Sequence, residues 1–548
     1  MLNRTLTVSC NVGVRFISTA NTTKNVDSAT ITAEAKEAYY KNLGTNFGVE
    51  DNTKPAGWDE ALPYKSIPGP KALPIIGNVW RFFPYVGDLH NIDVLEMHRR
   101  FYKQYGKIAK LGGIPTFPDT VFIFSPEDFE VLHRNEGAFP IRDALKAFQH
   151  YRTVVRKDIF KDVGGVTTVH GIDWYNFRSK VNPILMQPRT AQQYADSMNV
   201  IANDFLANVK RFTKSHPTGE MPEDFLNHIY RWALESIAYI ALDRRLGCLD
   251  PNLRRDSEPQ KIIDSAIRMF YLYYKIEVLP TLWKVYKTKT FREFIDVLDT
   301  MTFTFLKYIN EATERIKKDK TPKEEHQMSV FQRLLKIDQK VAMAMAMDML
   351  TAGVDTTGRT TGAALYFLAK NTEAQNALRK ELRSLMPNKD SPVTKEVLTN
   401  ASYLRAVIKE TTRIAPISVG NFRQAIKDMV LCGYQIPKGT NLLTCNLVLC
   451  HSDEYFPEAS QFIPERWLRS TTGEMSHKNT HPFVHLPFGF GPRSCIGKRL
   501  ANLELEIVVA KMVRNFNLEW HHEDMKYVCY PLYGIASPLK LQLTELED

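Results

Sequence analysis

Cysteine is scarce in this sequence, seven in 548 residues, and no two are spaced C-x-x-C. That excludes a disulfide framework, a thioredoxin-like redox pair and a zinc knuckle, and the missing C-x-x-C-H excludes covalent c-type haem attachment. A reducing compartment fits such cysteine usage. No apolar run reaches the ~18 residues needed to span a bilayer, so the chain reads as soluble or surface-bound. Repeats, low-complexity tracts and long Gly/Ser linkers are missing too, which favours one large domain behind a short N-terminal extension. Nor is there any block of five like charges. The net charge of +10, from 71 Lys+Arg against 61 Asp+Glu, suits an anionic membrane, an acidic protein or a plain solvated surface. Nucleic-acid binding gains no motif. The densest basic stretch, Arg315 to Lys323, reads as a loop.

Acid is what the N-terminus lacks. Residues 1–26 carry Arg4, Arg15 and Lys24, seven Ser or Thr, and no Asp or Glu before Asp27. Basic, hydroxyl-rich and acid-free is the composition of a mitochondrial transit peptide. A secretory signal needs an unbroken apolar core, which Ser9, Asn11 and Gly13 interrupt. The expected organisation is a transit peptide over 1–26, an extension over 27–65 and the working domain over 66–548. That domain opens on SIPGPKALPIIGN, Ser66 to Asn78, whose prolines and glycines forbid regular structure.

What is present is mainly helical. Short strand-like runs, LGGIP near Leu111 and VFIFS near Val121, come first. The clearest helix runs from Asp338 to Lys370, about 50 Å long at 1.5 Å per residue, and is apolar on most faces, so it should be central and buried. Its middle nevertheless holds Gly353, Asp355, Thr356, Thr357 and Gly358, which are costly in a buried helix unless something uses them. A second helix, Ala401 to Arg413, precedes strand-and-turn sequence around Tyr434 to Thr440 and a Pro-rich meander at Phe462 to Trp467. A glycine-rich loop then opens directly onto a long helix, Leu500 to Arg514. The fold class is mainly α with a small β region.

In that loop, PFGFGPRSCIGKRLA, Phe488, Gly489, Gly491, Arg493 and Gly497 crowd around Cys495. Glycines let a backbone approach a flat ligand and take positive φ, and a following helix N-terminus favours thiolate over thiol. Taken alone, the residues leave two readings open: a metal-binding thiolate, or a buried structural cysteine beside a phosphate-type loop. Nucleotide motifs fail, since neither G-x-G-x-x-G after a strand nor G-K-[ST] is present.

Four motifs close the choice by resemblance. Phe488-x-x-Gly491-x-Arg493-x-Cys495-x-Gly497 resembles the haem-binding signature of the cytochrome P-450 superfamily. Ala352-Gly353-Val354-Asp355-Thr356-Thr357 resembles its oxygen-activation segment, Glu410-Thr411-Thr412-Arg413 its E-x-x-R, and Phe462-x-Pro464-Glu465-Arg466-Trp467 its meander. They fall in the family's order across roughly residues 60 to 545.

The resemblance implies a single-domain cytochrome P-450 fold with the central helix over a non-covalent haem b, and Cys495 as the iron's thiolate ligand, which favours O–O cleavage. Arg493 would pair with a haem propionate and Phe488 would shield the sulfur. Trp174 and Arg178, an i,i+4 pair resembling the family's W-x-x-x-R, and Arg423 would serve the propionates too. Glu410 and Arg413 share a helix face and with Arg466 would form a buried network, an architectural one. Thr356 would bond back to the carbonyl of Ala352, loosening the helix; Gly353 would leave room for dioxygen and water, and Asp355 would relay protons from solvent. The activity implied is insertion of one atom of O2 into a small lipophilic substrate, selected by the segments Phe139 to Tyr151, Met269 to Tyr286, Ile417 to Asn421 and the central helix, all read as apolar or aromatic. A steroid or sterol hormone-precursor hydroxylase is the alternative to oxidation of foreign compounds; a haem-thiolate isomerase or dehydratase, or a non-catalytic haem carrier, are the rivals, and neither needs a proton relay. A transit-like N-terminus without a membrane anchor points to the mitochondrial type, similar to insect members. Such proteins lie peripherally on the matrix side of the inner membrane and take electrons from an acidic ferredoxin with its reductase upstream. The implied docking residues are Arg405, Lys409, Lys498 and Arg499.

Overall fold

The structure, a computed structural model, describes residues 54–114 and 117–547. The transit-peptide reading over 1–26 and most of the extension lie outside the described residues. From Leu62 onward the chain is already part of the body, because Leu62 N–H donates to the Gly433 carbonyl at 2.9 Å and its own carbonyl accepts from Gln435 at 2.8 Å. The prolines between Ser66 and Asn78 keep that stretch free of helix and of extended strand.

The helices that frame the functional region are α1 (Val94–Tyr105), α2 (Gly171–Leu185), α3 (Ala195–Ser215), α4 (Phe225–Leu242), α5 (Glu258–Tyr273), α6 (Lys289–Lys318), α7 (Gln339–Lys370), α8 (Ser402–Ile414) and α9 (Lys498–Asn515). α7 starts one residue later than expected because Asp338 caps it, accepting from Lys340 N–H at 2.7 Å and Val341 N–H at 3.0 Å. It buries Val341, Ala344, Met345, Leu350, Val354 and Leu365 on successive faces, as an all-round apolar helix must. Its glycines set its distance from α4. A methyl on Gly353 would lie 2.6 Å from Ile237 Cγ1, one on Gly358 2.3 Å from Tyr230 Cδ1, and one on Gly362 3.1 Å from Leu226 Cδ1. Rising numbers on α7 meet falling numbers on α4, so the two helices run antiparallel in close contact. Gly353 also lines the chamber, beside Ile237.

The β region contains β1 (Ile108–Leu111), β2 (Thr120–Ile123), β3 (Asn421–Gln424), β4 (Met429–Leu431), β5 (Tyr434–Ile436) and β6 (Asn441–Thr444). A four-stranded sheet has the order β1-β2-β6-β3, with β2 and β6 parallel and the other pairs antiparallel. β1 corrects the LGGIP reading. The strand is the β-favouring run before the glycines, and Gly113, at φ 68°, lies beyond its end. The basic stretch from Arg315 is also corrected: it is helical to Lys318, where Arg315, Lys317 and Lys318 occupy the last turn of α6 and complement its dipole. Two apolar cores result, a large one around α3, α4, α7 and α9, and a smaller one joining α1 to the sheet. The six cysteines among the described residues are free thiols.

Candidate functional site

A chamber of about 770 Å³ lies between α7 and the loop before α9. Cys495 faces it. The loop turns on Gly489 at φ 68° and Gly491 at φ 71°, values that favour glycine, and Cys495 N–H donates to the Phe488 carbonyl at 2.8 Å. Gly497 has an ordinary φ of −84° and is the N-cap of α9, so positive φ is not why it is glycine. Burial pushes the Cys495 thiol pKa up, while N–H groups of Gly497 and Lys498 and the charge of Arg178 pull it down. Phe488 lines the chamber beside it, with Lys498 Nζ 5.7 Å from the ring centre.

Four guanidinium groups converge on the same chamber: Arg142, Arg178, Arg423 and Arg493. Arg178 on α2 donates to the Ser494 carbonyl at 2.8 Å and to Asn182 at 2.5 Å, tying α2 to the cysteine loop. Arg493 donates to the Val169 carbonyl at 2.7 Å and stacks 4.4 Å over Trp174. Burial, then Arg142, Arg423 and Arg178, lower the Arg493 pKa to about 8. Arg142 and Arg178 are each lowered to about 10, burial first. Arg423 lies inside β3 and pairs with Glu136 at 2.6 Å, and Glu136 also bonds His133 at 2.5 Å. Four guanidinium groups, two buried and two half-buried, lie together here, with Nε of Arg142 and Arg493 and Nε1 of Trp174 unpartnered, a cluster that added negative charge would stabilise. A haem fits on that count: its propionates supply two carboxylates, and the thiol of Cys495 supplies a soft metal ligand. Arg142 was not singled out from sequence; a lone arginine in a loop carries no pattern.

Across the chamber, Thr356 donates its hydroxyl to the Ala352 carbonyl at 2.7 Å, as its spacing suggested. Asp355 differs from expectation. It is fully buried and does not line the chamber, because one residue along a helix turns the side chain by about 100°. Its Oδ1 pairs at 2.7 Å with Arg359, whose side chain is partly exposed, and Tyr230 acts on the same carboxylate. Thr357 and Thr360 line the chamber with Thr356, and Glu504 of α9 lines it too; Glu504 was missed from sequence.

Glu410, Arg413 and Arg466 come together under the cysteine side. Glu410 accepts from Arg413 at 2.7 and 2.9 Å, from Arg466 at 3.2 Å, from Trp467 Nε1 at 2.8 Å and from Ile463 N–H at 3.0 Å. Arg413 also donates to the carbonyls of Cys450, Ala459 and Gln461. The four basic residues expected to meet a partner divide. Lys409 and Lys498 are exposed, and Arg405 and Lys498 both depress the Lys409 pKa after burial does. Arg499 is exposed as well and donates to the Met186 carbonyl at 2.7 Å, while the half-buried Arg405 donates to the Leu398 carbonyl.

All four segments expected to select substrate reach the chamber, but not as apolar walls only. Arg142, Asp143, Lys146, Glu277 and Lys284 line it as well. Glu277 accepts the Ala147 N–H, and burial raises its pKa.

A family model described as Cytochrome P450 matches residues 67–542. The chain is 37% identical over 491 residues to the probable cytochrome P450 301a1, mitochondrial, of Drosophila melanogaster, covering 89% of this chain and 88% of that one. It is 38% identical over 501 residues to the probable cytochrome P450 12a5, mitochondrial, of the same fly, covering 90% and 92%. Cytochrome P450 CYP12A2 of Musca domestica is 38% identical over 503 residues, covering 90% and 93%.

Proposed function

The chain belongs to the cytochrome P450 family and is a haem-thiolate monooxygenase; from that premise we propose that it oxidises small lipophilic foreign compounds in the mitochondrion, with Cys495 holding the iron of haem b and a ferredoxin supplying electrons. The observation that carries this reading is the pairing, in one chamber, of a thiol below and a helix-bending threonine above, ringed by four guanidinium groups. Bound there, the haem would supply dioxygen activation and oxygen-atom insertion. Arg142, Arg178 and Arg493 would hold its propionates, with Arg423 positioned by Glu136 and Trp174 stacked under Arg493. The Thr356 hydroxyl is a proton-bearing group facing the chamber. Asp355 would recharge it from behind the helix, through the partly exposed Arg359 with which it pairs.

Among the described residues no helix is long and apolar enough to cross a membrane. Ile75, Tyr85 and Val86 are exposed, as are Val285 and Tyr286. The two segments are linked where Lys284 lies 5.3 Å over Phe117, which follows the strand beside the first. Exposed apolar side chains with lysines suit a peripheral hold on an anionic bilayer, on the matrix side of the inner membrane given the mitochondrial naming of the relatives. The N-terminal 26 residues would serve as the import signal.

The deciding experiment is the carbon monoxide spectrum of the reduced protein. The parent should show the strongly red-shifted Soret band of a thiolate-ligated haem, and Cys495→Ala should lose it. A band that survives in the variant assigns the iron to another residue. Spectral titration of the ferric protein with foreign compounds and with steroids then separates the two substrate classes.

A further inference from the structure

Glu504 is a carboxyl group without compensation. It is 2% exposed. Its Oε2 has one neighbour, the Thr357 hydroxyl at 3.4 Å, and its Oε1 has none. Burial acts on it and Thr357 offsets this only slightly; no charged side chain of the packed helices contributes, and the basic Arg405 acts instead on Glu506. A buried ion left without a partner costs several kcal/mol, so the group is held neutral well above the ordinary carboxylate range, with a pKa of about 8. Its place is as telling as its state. Leu500, Ala501 and Glu504 all line the chamber, at the i, i+1 and i+4 spacing that puts them on one face of α9. α9 is the helix that begins just past Cys495, and Thr357 follows Thr356 directly. Glu504 therefore belongs to the walls between which the haem would lie, and none of the steps assigned to Thr356 and Asp355 uses it.

We propose that Glu504 is the proton acceptor coupled to reduction of the haem: where the carboxyl is ionised in the ferric protein, an O–H bond forms at Oε1 with a proton drawn from solvent as one electron enters from the ferredoxin, so that the chamber's net charge is unchanged. The inference rests on the reading that Cys495 holds a haem in this chamber. Its physical basis is reciprocal linkage. An added electron raises the proton affinity of a nearby carboxylate, and by the same free energy the proton raises the electron affinity of the iron. In a low-dielectric wall such coupling is strong.

The test is the ferric/ferrous midpoint potential of the holoprotein, followed spectroelectrochemically from about pH 6 to 9, bracketing the value of about 8. The parent's midpoint should be nearly flat below about pH 8, where Glu504 is already protonated in the ferric protein, and fall above it at a slope approaching about 59 mV per unit, the one-electron equivalent of a tenfold change. Glu504→Gln, a neutral mimic, should flatten that slope and hold the parent's low-pH potential, whereas Glu504→Asp should keep a slope with its break displaced. A parent without a slope, or a Gln variant that keeps the parent's, overturns the proposal and hands any proton to Glu506 or a propionate. Should the Gln variant fail to take up haem, redox-triggered infrared difference spectra of parent and Asp variant decide. A protonated-carboxyl band that appears on reduction and moves in Glu504→Asp supports Glu504; no such band, or one that does not move, refutes it. The red-shifted Soret band of the parent, recorded on the same sample, separates a failure of this coupling from a failure of the thiolate reading.

Discussion

Single residues differ in how far they can be exchanged, and two buried carboxylates define the extremes. Glu410 is fully buried yet accepts five hydrogen bonds, four from side chains and one from Ile463. Removing one side of such a pair leaves an uncompensated charge, at a cost of about 3–5 kcal/mol. Arg413→Ala should therefore lower the urea unfolding free energy by about that amount and deplete bound haem; a loss under about 1 kcal/mol would place the pair among surface bridges. Glu504 is the opposite case. Its folded pKa of about 8 lies above the ordinary 4.5, so between those values the unfolded chain sheds the proton that the folded one keeps. Stability must then fall as pH rises, by about 1.4 kcal/mol per unit, and level off above about pH 8. Glu504→Gln carries no such dependence. Its ferric holoprotein should match the parent below pH ~4.5 and outlast it increasingly toward pH 8. An advantage that does not grow with pH contradicts the raised value. Cys495 and Glu410 were legible in the sequence because each sits in a motif several residues wide, whereas Glu504 and Arg142 were not, because three-dimensional burial, not local spacing, gives a lone charge its meaning.

Elements are held apart by what the sequence omits. On α7, Gly358 meets the Tyr230 ring of α4 where even a methyl would lie at 2.3 Å. The obstacle is the body of an aromatic ring within a close-packed helix pair, so it cannot move aside cheaply. Gly358→Ala should thus destabilise by about 1–3 kcal/mol through overpacking, even though alanine is the better helix former by about 1 kcal/mol. Thermal unfolding of the variant checks the sign: a rise in Tm would mean that propensity, not packing, governs this position. The long helices were legible because their ends carry chemistry, Asp338 as N-cap of α7 and the Cys495 loop before α9, and the observed bounds fall within about two residues of expectation. Strand and loop boundaries were less so. Gly112 and Gly113 drew the first strand too far along, and the basic turn at Arg315 resembled a solvated loop although cations are at home at a helix C-terminus. The glycines of α7 could be seen in the sequence, but not that Ile237, Tyr230 and Leu226 pack against them, since that depends on which helix lies opposite.

At the scale of the whole molecule, the excess of positive charge gains a place to act. Lys409 and Lys498 stand exposed near the Cys495 loop, and Arg405 lies one turn from Lys409 on α8. These cations repel one another enough for Arg405 and Lys498 to help depress the Lys409 pKa, a cost that an acidic partner would relieve. Lys409 also lies 5.6 Å over the Trp467 ring, next to Arg466 of the Glu410 network, so the patch is mounted on that buried network. Arg499, exposed beside Lys498, donates to the Met186 carbonyl, so its guanidinium is held at the rim of the same patch. Electrostatic steering of this kind speeds encounter and fades with salt over a Debye length of ~10 Å at 0.1 M. Reversing Lys409 and Lys498 together to Glu should raise the ferredoxin concentration for half-maximal turnover roughly tenfold at low salt, about 1.4 kcal/mol. The gap between variant and parent should narrow as salt rises. Substrate-binding spectra should not change, because neither lysine lines the chamber. If the double reversal accepts electrons as readily as the parent at low salt, the donor approaches elsewhere, and the basic patch is a solvated surface only.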